Sequence, residues 1–173
     1  MARLQTTTLL VSSCVIGLSL AAPAAADDDR RIRAKLSGYN EDPSTLSTPA
    51  SGNFRGKIDR RMKEIEFELS YEGIETAVLQ AHIHFGGQHQ SGGVSAYLCT
   101  NLGNGPAGTQ LCPASPATVK GTIKAADVVG PSGQGIAAGE IAELIDAIDA
   151  GVTYVNVHSQ QYMGGEIRGQ IKD

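Results

Sequence analysis

Residues 79–87, the most informative part of the sequence, read Leu79-Gln80-Ala81-His82-Ile83-His84-Phe85-Gly86-Gly87. Apolar and polar side chains alternate along it, which is typical of a β-strand that buries one of its faces. The apolar face runs from Leu79 to Phe85, and the polar face carries His82 and His84 side by side. The two glycines that follow predict a turn at the end of the strand.

The chain has four histidines, and three of them fall within residues 82–89. The fourth, His158, ends a second strand-like run over residues 154–158, in which Tyr154, Asn156 and His158 share a face. If the two strands are neighbours, three imidazole rings meet on one surface. This grouping is the clearest functional indication in the sequence.

Two histidines separated by one residue on a strand lie about 7 Å apart at Cα and point the same way. Neutral imidazole nitrogen binds both zinc and copper, and copper(II) stands higher in the Irving–Williams order. We therefore expect a metal site made by His82, His84 and His158, with copper as the ion and zinc as the alternative. His89 lies in a glycine-rich loop and either completes this ligand set or stays outside it. In the alternative without a metal, the histidines are solvated or hydrogen-bond across the sheet.

Residues around these ligands are expected to orient them. Glu166 and Arg168 share a face of the last strand-like run, where they are either an ordinary ion pair or neighbours of the metal site. In the second case Glu166 accepts the other N–H of a ligating histidine, and Arg168 adds positive charge. Tyr154 and Asn156 are expected beside the ligands, and in the alternative without a metal they are the hydrogen-bond partners of the histidines.

Residues 1–26 predict a secretory signal peptide that is cleaved after Ala26. Arg3 is the only charge before Asp27, an apolar run covers residues 9–22, and small residues precede the expected cleavage point. A looser likeness to a lipoprotein cleavage box ends at Cys14 and leaves lipidation as a weaker alternative. The expected product is secreted or periplasmic and has no membrane span.

The mature chain, residues 27–173, has the length of a single domain. It carries 18 acidic residues, against 13 basic residues once Arg3 is removed. This balance argues against nucleic acid or an anionic membrane as a partner. The expected partners are a metal ion, another exported protein, or a second copy in a homodimer.

Cys99 and Cys112 are the two cysteines of the mature chain, and they flank a loop rich in glycine, asparagine and proline. In an oxidising compartment such a pair predicts a disulfide. The alternative is that Cys99 serves as a thiolate metal ligand.

The pattern predicts an all-β, antiparallel, Greek-key-like sandwich or barrel of about eight strands with one short helix. The helix is expected over Ala138–Ala150, where apolar residues recur at helical spacing and Gly151 supplies the stop. The expected strands are Ile32–Leu36, Gly52–Asp59, Glu64–Tyr71, Leu79–Phe85, Val94–Cys99, Ala117–Lys124, Thr153–Ser159 and Gly165–Lys172.

Several segments together resemble the CHRD domain, in its bacterial exported form. They are Leu36–Pro43, Thr48–Gly52, Ala81–Gly86, Tyr154–Ser159 and Gly164–Ile171, and the resemblance covers about Ile32 to Ile171. It implies an all-β extracellular module. The family's histidine pattern maps onto His82, His84 and His158, which fits copper binding, whereas His89 is not clearly part of it.

The sequence is also similar, more weakly, to copper/zinc superoxide dismutase, although the zinc loop of that enzyme has no counterpart here. Three functional hypotheses follow. The first is an exported module that binds copper for storage, transport or sensing. The second is a copper-dependent redox enzyme, in which Arg168 guides an anionic substrate. The third is a metal-free adhesion or protein-binding module. No nucleophile elbow or phosphate loop is present, so no catalytic residue is assigned.

Overall fold

A computed structural model describes Met1 and residues 29–173. Residues 2–26 of the predicted signal peptide, which include Cys14, lie outside the described residues. One α-helix, α1, spans Ile141–Asp149, and eight strands follow the chain in order. The strands are β1 (Asp29–Ser37), β2 (Ser51–Asp59), β3 (Glu64–Glu72), β4 (Val78–Phe85), β5 (Gly93–Thr100), β6 (Ala117–Ile123), β7 (Thr153–Ser159) and β8 (Ile167–Gln170).

All eight strands form one antiparallel, nearly closed, barrel-like sheet in the order β5-β4-β7-β8-β1-β2-β3-β6. Three of the neighbouring pairs, β4–β7, β8–β1 and β3–β6, join strands that are not consecutive in the chain. The predicted all-β architecture, with its strand number and single helix, is therefore confirmed.

The two terminal strands of this order are bridged by a side chain from the loop between them. The Gln110 amide nitrogen donates to the carbonyl of Leu98 on β5, at 3.1 Å, and to that of Lys120 on β6, at 2.9 Å. Cys99 and Cys112 hold the same loop with a disulfide, as predicted. Cys99 is therefore not available as a thiolate ligand.

The interior of the barrel is apolar. Alternate residues of β4 and β7, including Ile83 and Val155, are fully buried against the core. The helix adds Leu144 and Ile148 to the same cluster, as its spacing predicts. Within the described residues, no helix has the length and apolar character needed to cross a membrane.

Three predicted boundaries, the start of the helix and both ends of the last strand, differ from the structure because of the backbone conformation or strand pairing. The helix begins at Ile141 rather than Ala138, because Gly139 has a φ of +89°, outside the right-handed helical region. Strand β8 begins at Ile167 rather than Gly165, whose φ is +133°. It also ends early, because Lys172 bridges to Arg33 on β1. The other strand ends either coincide with the prediction or differ from it by at most three residues.

Candidate metal centre

The antiparallel pairing of β4 with β7 brings three histidines together on the outer face of the barrel. His84 lies opposite Tyr154 and His82 opposite Asn156, so His158 sits one diagonal step from His82. The ring centroid of His82 lies 5.3 Å from that of His84 and 5.0 Å from that of His158. The third pair, His84 and His158, is separated by 6.1 Å.

This face is buried, although alternation alone predicts a solvated one. His82, His84 and His158 are only 2%, 8% and 6% exposed. Loops cover them and also supply hydrogen bonds. Nδ1 of His84 faces the carbonyl oxygen of Gly92 at 2.9 Å, and Nδ1 of His158 faces that of Met163 at 3.0 Å. Because a carbonyl only accepts, each Nδ1 carries the proton and Nε2 is left as a bare acceptor.

Four imidazole nitrogens of this cluster are buried without a hydrogen-bond partner. They are Nε2 of His84, Nε2 of His158 and both ring nitrogens of His82. One ligand nitrogen from each ring lies within 4.8 Å of the other two. A tetrahedral ion with bonds of 2.0–2.1 Å needs nitrogens about 3.4 Å apart. Small ring movements would therefore bring the three nitrogens into coordinating positions, and the cluster could hold one metal ion.

The cluster is uncharged at neutral pH. Burial, together with the two neighbouring imidazoles, lowers the pKa of His82 to about 2. Burial also lowers the pKa of His84 to about 4, and it lowers the pKa of His158. Metals bind the deprotonated imidazole. The three rings are therefore in the state that a metal requires.

His89 is not brought into this cluster. It is exposed in the loop between β4 and β5, and its φ of +60° places it at a tight turn. Of the two roles expected for His89, this arrangement agrees with the one outside the ligand set, because the group of possible ligands among the described residues contains only His82, His84 and His158.

Tyr154 and Arg168 form a stack on one side of the cluster. The Tyr154 ring lies parallel to that of His84, with centroids 4.8 Å apart and 5° between the planes. The guanidinium carbon of Arg168 lies 3.5 Å from the Tyr154 centroid, a cation–π contact. The Tyr154 hydroxyl accepts the Gly92 N–H at 3.1 Å. The Tyr154 ring therefore lies between the guanidinium of Arg168 and the ring of His84.

Glu166 takes neither of its predicted roles among the described residues. Its carboxylate accepts the Thr48 hydroxyl at 2.7 Å, while loop carbonyls receive the second N–H groups of His84 and His158. Asn156 also differs from expectation, since its amide donates to Glu41 at 2.7 Å and to the carbonyl of Ile167 at 3.0 Å.

Two residues next to the site were not predicted. Tyr97 on β5 packs edge-on against His82, with centroids 4.4 Å apart. Its alternation within β5 was visible in the sequence, but its register against β4 was not. Glu41 is buried, and burial raises its pKa to about 7 despite the hydrogen bond from Asn156. It belongs to the segment Leu36–Pro43, which contributed to the family resemblance but did not indicate a residue next to the histidines.

Comparison with known families matches the CHRD domain over residues 32–171. Neither the curated proteins nor the solved structures contained a match. The family match covers most of the chain, including both strands that carry the histidines. The protein therefore belongs to the CHRD domain family.

Proposed function

We propose that this CHRD domain protein binds one copper ion through His82, His84 and His158, and that it stores, carries or senses the metal. The observation behind the proposal is the group of four buried imidazole nitrogens without partners. A buried polar atom left unsatisfied costs about 1–3 kcal/mol. Coordination would remove this cost for three of these four nitrogens, one on each ring.

The donor set favours copper. All three donors are neutral imidazoles, which suit copper and zinc better than magnesium or calcium. Both cysteines of the described chain are joined in a disulfide, so neither supplies a thiolate. Between the two remaining metals, copper(II) binds nitrogen donors more tightly, and zinc is the alternative.

The burial of the ligand nitrogens supports a role in holding the metal. Backbone carbonyls fix two of the rings in orientation, and loops separate all three from bulk water. The disulfide agrees with an oxidising compartment, and we place the protein outside the cytoplasm. A carrier of this kind would exchange its metal with another exported protein.

A copper-dependent redox enzyme is the second candidate. The cluster supplies three ligands, which would leave a coordination position for a substrate. Arg168 adds positive charge near the cluster, because its guanidinium stacks on the Tyr154 ring, which in turn stacks on His84. Turnover of superoxide or peroxide by the copper-loaded protein would favour this candidate over storage or transport.

Metal analysis of protein purified without a histidine tag tests the proposal. The protein is stripped with a chelator, loaded with copper(II) or zinc(II), dialysed and analysed for bound metal. We expect one copper per chain in the wild type and in His89→Ala, which removes a histidine outside the cluster. His84→Ala and His158→Ala should each weaken copper binding about a hundredfold or more. Equal copper retention by all four proteins would contradict the proposed site.

A further inference from the structure

A separate cavity of about 300 Å³ opens on the outer face of the barrel, where β1 and β8 meet the loop that follows β4. Its lining is strongly basic, although the protein as a whole has a net charge of −4. Among the described residues no carboxylate lines it. The basic and ionisable residues of the lining are Arg33, Lys35, Arg168, Lys172 and His89.

The basic residues of this cavity differ from others in the protein in forming no ion pair, although Arg168 acts electrostatically on the buried Glu41 carboxyl. Arg30, Lys57 and Lys120, for example, each pair with a carboxylate. Within residues 29–173, the four basic side chains of the cavity make no ion pair. Like charges gathered around one space repel each other and raise the potential inside it. An anion in the cavity would relieve this repulsion.

Arg168 gives the cavity a fixed donor rather than a mobile surface charge. The residue is only 3% exposed. Its Nη2 donates to the carbonyls of Gly87 and Gln90, at 2.9 Å each, and its guanidinium lies on the Tyr154 ring. Nε and Nη1 make no hydrogen bond with a described residue. A guanidinium held in this way presents oriented N–H groups that suit two oxygens of one oxyanion.

We propose that this cavity binds a small oxyanion, a phosphate or a short dicarboxylate. Arg168 would bind the oxygens from the inner wall, and the exposed side chains of Arg33, Lys35 and Lys172 would supply charge at the rim. The cavity is at the lower end of the volumes of small-molecule sites, which suits a ligand of this size. The site requires no metal and stands independently of the copper proposal.

Calorimetric titration of the metal-free protein at low ionic strength tests the proposal. Inorganic phosphate and succinate are the two probes, and succinamide is the uncharged control for succinate. The rim variant is Arg33→Ala with Lys172→Ala. The matched control is Arg61→Ala with Lys63→Ala, which removes two exposed charges from the turn between β2 and β3.

At least one of the two anions should bind saturably with one site per chain, and succinamide should not. The tighter anion identifies the ligand class. The rim variant should weaken binding about tenfold, while the control variant leaves it within about twofold of the wild type. Equal weakening in both variants would show general charge attraction and overturn the proposal. Failure of both anions to saturate would also overturn it.

Discussion

The raised pKa of Glu41 is the ionisation property near the histidine cluster that the sequence least predicts. Its carboxyl is buried and accepts a hydrogen bond from Asn156, a neighbour of His82 across the β4–β7 pair. Burial raises its pKa from 4.5 to about 7, an effect larger than the opposing influence of Asn156 and Arg168. The folded protein thus holds a proton on Glu41 at a pH where the unfolded chain has released it.

This difference predicts how stability depends on pH. A raised pKa in the folded state contributes stability that is full below about pH 4.5 and is lost as the pH rises through about 7. Glu41→Gln keeps the acceptor for Asn156 but cannot ionise. Relative to the wild type, this variant should gain about 1–2 kcal/mol in unfolding free energy between pH 5 and pH 8, after allowance for solvent screening.

Urea denaturation of both metal-free proteins at the two pH values measures this gain. The histidine contributions are common to both proteins and cancel in the difference. A difference that stays constant between pH 5 and pH 8 would show that Glu41 has an ordinary pKa in the folded protein.

At the scale of single residues, the sequence predicted the three clustered histidines but not their surroundings. His82, His84 and His158 were predictable because a period of two assigns each to a strand face. The acceptors for their N–H groups are backbone carbonyls of Gly92 and Met163, which no side-chain pattern can reveal. The sequence therefore suggested Glu166 as the acceptor of a histidine N–H, whereas backbone carbonyls of the loops accept it.

The loop between β4 and β5 is the element that shapes the site. Gly92 accepts from His84, donates to Tyr154, and packs so closely that a Cβ atom would lie 1.7 Å from the carbonyl oxygen of Phe85. The backbone of Phe85 could make room for such a Cβ atom only if the loop moved. The loop therefore depends on a residue with no side chain at this position.

Gly92→Ala should displace the loop, remove the acceptor for His84, and lower the unfolding free energy by about 2–4 kcal/mol. Copper affinity should fall with it, by about tenfold or more. Gly133→Ala is the control, because a Cβ there meets no atom within 4 Å. Thermal or urea unfolding measures stability, and competition with a chelator measures affinity. If Gly92→Ala behaved like Gly133→Ala, the loop would have no such role.

At the scale of elements, regular strands were predictable and their ends were not. The alternation of β3 fixed its length to within one residue of the observed Glu64–Glu72. The start of α1 and both ends of β8 depend on the φ angles of Gly139 and Gly165 and on pairing with β1. These are tertiary properties, and the local sequence pattern does not contain them.

At the scale of the whole molecule, the two terminal strands of the sheet, β5 and β6, are not paired with each other. The side chain of Gln110 bridges this gap, which we call the seam. Gln110→Ala removes the two hydrogen bonds that join β5 to β6. Because Gln110 is itself exposed and water partly replaces its hydrogen bonds, this change should lower the unfolding free energy by about 0.5–1.5 kcal/mol. Gln160→Ala, on an exposed glutamine, should change it by less than about 0.5 kcal/mol.

Urea denaturation of the two variants measures this difference, and amide hydrogen exchange in β5 and β6 locates it. Faster exchange confined to the two seam strands is the expected pattern for Gln110→Ala. Unchanged exchange there would show that the seam is held by other contacts.

The overall architecture followed from the sequence because short alternating strands separated by turn residues suit few folds. The strand order did not follow, since nothing local says that β7 lies between β4 and β8. That order is what brings His158 to the His82–His84 pair. The family match covers residues 32–171, a range that includes both histidine-bearing strands.

The proposed copper site requires that the rings of His82, His84 and His158 hold one metal ion in common. An anomalous difference map from a crystal of the copper-loaded protein, recorded at the copper absorption edge, tests it most directly. We predict a single strong peak about 2.0–2.2 Å from one nitrogen of each ring, with Nε2 as the donor in His84 and His158. A copper peak elsewhere in the protein, with the three rings empty, would contradict the account.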